Sequence, residues 1–191
     1  MKTEIEERVL EINKEEVIKK LEELGAKKVG DWHQRRYVYD FMPKRENEWI
    51  RLRNNGEETT LTYKNIESKD IAGTKELEIV VSDFEETNQL LHIMGYTPKA
   101  YQENLRTRYY LDHIEIDIDT WPLIPTYLEI EGPSEEDVKK VEKLLGLSDA
   151  KITTLSCQDI YLEEYGIDIN QIEELKFDEN ENDSKPEVIK L

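Results

Sequence analysis

The stretch from Thr3 to Ile12, TEIEERVLEI, decides how the chain reads. Glu4, Glu6 and Arg8 stand two apart, with Ile5 and Val9 on alternate positions. Side chains two apart on a β-strand share a face. The spacing therefore predicts a strand with one charged face and one largely apolar face.

The same alternation returns along the chain. Glu76 and Glu78 flank Leu77, Glu115, Asp117 and Asp119 alternate with Ile116 and Ile118, and Glu129 and Glu131 flank Ile130. Basic versions accompany the acidic ones: Arg51 and Arg53 around Leu52, Arg106 and Arg108 around Thr107, and Lys64 at the end of LTYK. One such strand alone reads as the wet side of an antiparallel sheet. The whole set argues otherwise, because Asp and Glu are depleted from strands and here they come in doublets with basic counterparts.

Strands are predicted at 3–11, 34–41, 48–54, 59–64, 74–81, 104–111, 113–119 and 126–131, with NNGEE as a hairpin turn between the third and fourth. Amphipathic helices are predicted after Asn13, from Ser82 to Gly95 and from Ser134 to Gly146, with a shorter one over 154–166. The fold class expected is α+β. An eight-stranded antiparallel barrel turns its apolar face outward to helices packed on its outside, and its charged face inward. Buried charge is costly unless it is neutralised or meets a ligand. An interior of both signs suits phosphate oxygens on its cations and a hard divalent ion on its carboxylates.

Bulk composition narrows the field. The 191 residues carry 26 Lys and Arg against 44 Asp and Glu, a formal net charge of −18. So negative a surface repels phosphodiester backbones, which argues against a nucleic-acid partner. A single cysteine, Cys157, gives no disulfide framework. No apolar signal core or membrane-length run is seen, so a cytoplasmic location is expected. Residues 1–170 form the expected domain. Residues 171–191 are expected to be an acidic flexible tail, since Asp178–Ser184 is almost wholly Asp, Glu and Asn.

These residues taken in order resemble the CYTH family of triphosphate tunnel metalloenzymes, which includes class IV adenylate cyclases and thiamine or inorganic triphosphatases. The resemblance runs from about residue 3 to 165 and rests on Glu4-x-Glu6-x-Arg8, RLR at 51–53, Lys64, ELE at 76–78, RTR at 106–108, Asp119 and LEIE at 128–131. It implies a tunnel open at both ends with a triphosphate lying along it. It implies Glu4, Glu6, Glu129 and Glu131 as metal ligands for Mg²⁺ or Mn²⁺, with Glu76, Glu78 and Asp119 either ligating a second ion or holding the basic side chains. Arg8, Arg51, Arg53, Lys64, Arg106 and Arg108 would clamp phosphate oxygens. Dimers occur in the family. Two departures stand out: arginine replaces lysine at position 8, and prolines 122 and 125 replace the usual glycine before the final acidic motif.

Three functions remain open on the sequence. The leading one is metal-dependent hydrolysis of tripolyphosphate, thiamine triphosphate or ATP, with catalytic Glu4 and Glu6 and a Tyr39–Lys64 or Tyr37–Lys64 pair as general base. The second is cyclisation of ATP by the same clamp. The third is a polyphosphate or nucleotide sensor without turnover. His33, His92 and His113 form no metal triad, and Trp49 and Trp121 read as packing aromatics.

Overall fold

A computed structural model describes residues 1–178. The chain opens with two short strands, β1 (Lys2–Glu4) and β2 (Glu6–Val9), interrupted at Ile5. Then come α1 (Lys14–Glu23), β3 (Lys27–Asp40), β4 (Glu48–Asn54), β5 (Thr59–Ile66), β6 (Thr74–Val81) and α2 (Phe84–Ile93). The second half holds β7 (Ala100–Leu111), β8 (Ile114–Thr120), β9 (Tyr127–Glu131), α3 (Glu135–Leu145) and β10 (Ile152–Thr153). A turn of helix, α4 (Cys157–Asp159), continues into a π-turn over Ile160–Glu164, and a last strand, β11 (Glu174–Leu175), pairs parallel with β7.

Neighbouring strands run in the order β1, β6, β5, β4, β3, β7, β8, β9, β2, with the two-residue β10 paired on the other edge of β2. The first and last members of that series are one continuous stretch of chain. Lys2–Glu4 pairs with β6 in the register Glu4↔Thr74, and Glu6–Val9 pairs with β9 in the register Glu6↔Glu131. The sheet thus curls round until its two edges meet on residues 2–9. Counting β1 and β2 as one interrupted strand, the ring among the described residues is the eight-stranded barrel expected. The junction is fixed by two backbone bonds beside the break: Glu6 N–H donates to Ile71 O at 3.1 Å, and Gly132 N–H donates to Ile5 O at 3.0 Å. Gly73 makes the first possible. A Cβ there would lie 2.1 Å from Ser68 O, so no other residue fits the tight loop that delivers Ile71.

β3 and β7 are longer than predicted and pair from Lys27↔Tyr110 to Val38↔Ala100. The extra turns lie in KKVGDWH, where Gly30 sits at a register shift and no alternation marks a strand. The helices start on side-chain caps at Asn13, Asp83 and Ser134, so the second cap is Asp83 and not Ser82.

The apolar faces point outward, as the barrel requires. Under α1 and α3 lie Val9, Ile116, Ile118, Leu128 and Ile130 against Val17, Leu21, Val138 and Val141. Under α2 lie Tyr39 and Leu52 against Phe84 and Leu91. Each fully buried aliphatic side chain contributes about 1.5–3 kcal/mol, so these outer layers supply the main stabilisation.

A third apolar cluster corrects the expectation of a tunnel open at both ends. Leu10 and Tyr127 belong to the inward-facing rows of β2 and β9, and they are packed with Trp121, Ile124, Ile160, Tyr161, Ile169 and Leu175. The Tyr161 hydroxyl donates to Pro122 O at 2.6 Å, tying the two covering segments together. One mouth of the barrel is therefore sealed and the channel is blind. The boundary of the expected tail is corrected as well: residues 171–178 are structured, with β11 on the sheet and Leu175 2% exposed. The remainder of that expected tail, 179–191, lies outside the described residues. No helix among the described residues is long and apolar enough to cross a membrane.

Replacing Leu175 with Ala tests the seal. Unfolding in urea should show a loss of about 2–3 kcal/mol, the cost of a cavity in a packed cluster. An unchanged midpoint would return Leu175 to a solvated tail.

Candidate functional site

The inward rows of the barrel bring most of the predicted residues together. From β1 and β2 come Glu4, Glu6 and Arg8, and from β9 Glu129 and Glu131. Arg51 and Arg53 come from β4, Lys64 from β5, Glu76 and Glu78 from β6, Arg106 and Arg108 from β7, and Asp117 and Asp119 from β8. Period two puts each doublet on one face, and the closed ring makes that face an interior.

Within this interior the acidic residues divide into two groups. Glu4, Glu6 and Glu131 each offer an oxygen within 4.8 Å of the others. Glu4 and Glu6 are 5% and 8% exposed. The neighbouring cations touch only the flanks of this trio: Lys64 at 2.8 Å from Glu4, Arg8 at 2.7 Å from Glu6, and Lys2 on Glu131. Burial pushes the Glu6 carboxyl up against the pull of Arg8. It pushes Glu131 up to about 7, more than Lys2 draws it down. Three carboxylates crowded this closely, with burial raising Glu6 and Glu131, are a set short of positive charge. Oxygen donors alone, in this number, fit a hard divalent cation such as Mg²⁺ or Mn²⁺.

The other four predicted metal ligands do not join this trio. Glu129 sits 2.7 Å from Arg8 and 3.3 Å from Arg106. Burial opposes its ionisation, yet Arg8, Arg106 and Lys64 together hold it far below the usual carboxylate range. Asp119 accepts from Arg106 Nε at 2.7 Å and from Asn104 at 3.1 Å. Glu76 lies 3.4 Å from Lys64, and Glu78 accepts from the Thr62 hydroxyl at 2.6 Å and faces Arg51 and Arg53 at 3.4 Å. These four orient cations.

The predicted cations divide too. Arg106 is enclosed by Asp117 at 2.5 Å, Asp119 and Glu129, and Arg108 makes a two-pronged contact with Asp117 at 2.7 Å. Their carboxylates raise both guanidinium groups against the cost of burial. Arg51 and Arg53 share one carboxylate, Glu78, at 3.4 Å, and Arg51 has Glu76 4.0 Å away. Burial comes first in holding Arg53 well below its ordinary value, and then Arg51, Arg106 and Arg36. A cavity of about 110 Å³ opens beside it, lined by Trp32, Gln34, Arg53, Thr60, Glu78 and Arg108. One wall of the channel is short of positive charge and the other is short of negative charge.

Two expectations fail. Tyr39 faces outward, fully buried under α2, and its hydroxyl donates to Asn88 Oδ1 at 2.9 Å. Tyr37 stacks on Phe84 with ring centroids 5.2 Å apart. Neither tyrosine meets Lys64, so no Tyr–Lys base forms in the channel. The inward residues of β3 are instead Gln34 and Arg36, which the sequence reading passed over. Their signal was register. Arg36 pairs with Arg53 across the ladder, and a residue opposite an inward arginine also points in.

Comparisons with known proteins agree with this geometry. The family model for the CYTH domain matches residues 2–156. The solved structure of PH1012 from Pyrococcus horikoshii OT3 is 26% identical, covers 78% of this chain and 94% of its own, and superposes with a TM-score of 0.67. A candidate adenylate cyclase from Vibrio parahaemolyticus is 14% identical with a TM-score of 0.71, covering 83% of this chain and 97% of its own. A candidate adenylyl cyclase from Hippeastrum, whose structure is described as revealing a dominant triphosphatase activity, is 13% identical with a TM-score of 0.56 over 87% of this chain and 96% of its own. At such low identities these two share the fold alone. No curated protein matches the chain.

The raised pKa of Glu131 gives a pH signature. Its folded value of about 7 lies above the ordinary 4.5. The folded state therefore holds the proton more tightly, and the group stabilises the fold fully below about pH 4.5. That contribution fades as pH rises through about 7. Glu131→Gln, which mimics the protonated form, should match wild type near pH 4.5 and melt higher above pH 7, measured with a chelator present. Parallel pH profiles would show that Glu131 is not crowded.

Proposed function

The chain belongs to the CYTH domain family, and on that premise we propose that it is a metal-dependent enzyme that hydrolyses a triphosphate held inside the barrel. The observation that carries this reading is the separation of unmatched charge: Glu4, Glu6 and Glu131 on one wall, and the arginines of β4 on the other. A linear triphosphate complexed with a divalent cation complements both walls at once.

Glu4, Glu6 and Glu131 are the residues that would hold Mg²⁺ or Mn²⁺. When bound there, such an ion supplies neutralisation of phosphate oxygens and a lowered pKa for a ligated water. The protein's own groups do the rest. Arg51, Arg53 and Lys64 orient the phosphate chain and stabilise charge on its equatorial oxygens. Glu78 and Thr62 fix the arginines of β4 so that little reorganisation is needed. Glu129, Asp117 and Asp119 hold Arg106 and Arg108 as rigid positive surface. The sealed end excludes water from one side, which strengthens every electrostatic contact within.

Hydrolysis is favoured over cyclisation by the character of the cavity. Its walls are Gln34, Asn55, Glu58, Thr60, Glu78 and two arginines, with Trp32 its only aromatic. A cyclase must seat a purine against apolar surface, and the cavity offers almost none.

Purified protein with Mg²⁺ or Mn²⁺ should release orthophosphate from tripolyphosphate, thiamine triphosphate or ATP. Cyclic AMP as the main product from ATP would overturn hydrolysis, and tight binding without turnover would make the protein a sensor. Glu6→Gln should cut metal-dependent turnover at least about 100-fold while a cooperative melting transition shows that the variant is folded. Arg53→Ala should weaken triphosphate binding about tenfold or more in a calorimetric titration.

A further inference from the structure

Arg36 differs from every other arginine in the channel. Arg8 meets Glu6 and Glu129, Arg106 meets three carboxylates, Arg108 meets two, and Arg51 and Arg53 share Glu78. Arg36 makes no ion pair among the described residues. Its Nη2 donates to two neutral amide oxygens, Gln34 Oε1 at 3.1 Å and Asn104 Oδ1. Its Nε is buried with no acceptor. The residue is only 6% exposed, and its guanidinium lies 4.5 Å from the centroid of Trp121, an aromatic of the cluster that seals the barrel. Burial first, then Arg51 and Arg106, lower its pKa to about 10. Asp119, a carboxylate that draws it upward, is taken by Arg106 and Asn104.

A buried guanidinium without a counter-charge strongly destabilises a fold. Its position says what it is for. Arg36 stands against the sealing cluster through Trp121, across the ladder from Arg53, the arginine that lines the open cavity. Beyond it the barrel is filled by Trp121, Tyr127 and Leu10, so nothing longer can pass. An anion reaching Arg36 must end there. An internal phosphate of a chain carries one charge and continues on both sides. A terminal phosphoryl carries up to two charges, three free oxygens and no continuation.

We infer that Arg36 receives the free terminal phosphoryl group of a linear triphosphate that enters the blind channel end first, leaving any organic substituent at the open mouth. This rests on the reading of the barrel as a triphosphate site and narrows its substrate class. Tripolyphosphate and triphosphates substituted at one end fit, whereas a triphosphate esterified at both ends does not.

The test is calorimetric titration with a chelator present, so that no turnover intervenes, using tripolyphosphate and P1,P3-di(adenosine) triphosphate. It is run on wild type and on Arg36→Met, whose ligand-free melting temperatures are compared. Wild type should bind tripolyphosphate at least about 30-fold more tightly than the doubly substituted compound, and Arg36→Met should lose about 30-fold or more for tripolyphosphate. The same variant should melt higher than wild type without ligand, because an uncompensated charge has been replaced by an apolar chain. A purely structural arginine would do the opposite. A lowered melting temperature, an undiminished affinity or equal binding of the doubly substituted compound each overturns the Arg36 assignment alone. Failure of wild type to bind tripolyphosphate both with chelator and with Mg²⁺ present would remove the triphosphate reading and this inference with it.

Discussion

Ionised side chains that face a closed interior have to be neutralised, and the rest of this structure follows from how far that neutralisation goes. In the barrel it goes most of the way. Arg106 is held by Asp117, Asp119 and Glu129, and Arg8 is held by Glu6 and Glu129. Such pairs give little net stability, because desolvating two ions offsets most of their attraction. The apolar layers between barrel and helices stabilise the fold. The network inside gives it direction: each paired carboxylate fixes a cation in place, and the unpaired remainder marks where a ligand belongs. The remainders have opposite signs and sit on separate walls, kept apart by strands that cannot slide without moving every side chain to the wrong face.

Closure of the barrel and assembly of the site are the same event. Residues 2–9 pair with β6 through one half and with β9 through the other, and they carry Glu4, Glu6 and Arg8. Glu131, third member of the acidic trio, lies opposite Glu6 in that register. If the edges part, the trio is dispersed. The outer side of the same strand is anchored as well. Glu7 is bound by Lys139 of α3, and Glu142 of that helix is pushed up to about 7 by burial and by Glu7. A helix on the outside thus holds, through alternate residues of one strand, the geometry of carboxylates on the inside.

Much of this was legible because period two writes a strand's faces into its sequence. The doublets at Glu4–Glu6, Arg51–Arg53, Arg106–Arg108 and Glu129–Glu131 named the inward rows, and three capped amphipathic helices required an apolar exterior to cover. What was not legible depended on register or on irregular backbone. In QRRYVYD no doublet of like charge marks a face, so Arg36 and Tyr39 could be told apart only once Arg36 was known to pair with Arg53. The division of the carboxylates into a convergent trio and four holders of cations depends on how strands from opposite sides of the ring lean together, which no linear pattern records. The sealing segment was hidden for another reason. Ile160 and Tyr161 fall in the helix expected over 154–166, but Ile169 and Leu175 follow neither the helical nor the strand period, because the chain there passes through a single 3-10 turn and a two-residue strand.

The chain's overall charge takes on a meaning beside this interior. A net charge of −18 surrounds a channel whose β3 and β4 wall has too few anions to match its arginines. The outer field repels polyanions of many linked charges, which feel it along their whole length. On the proposed reading, a short triphosphate paired with a divalent cation has lost much of its own charge, so it would cross that field at small cost and then meet the β4 arginines in a confined, low-dielectric space. On the same reading, selectivity against long anions would be exerted twice, first by repulsion at the surface and again by the wall of Trp121 and Tyr127. The family match ends at residue 156, whereas much of that wall is built from Ile160 to Leu175. On the proposed reading the barrel would hold the phosphate chain, and the segment that follows it would set how much of the chain can enter.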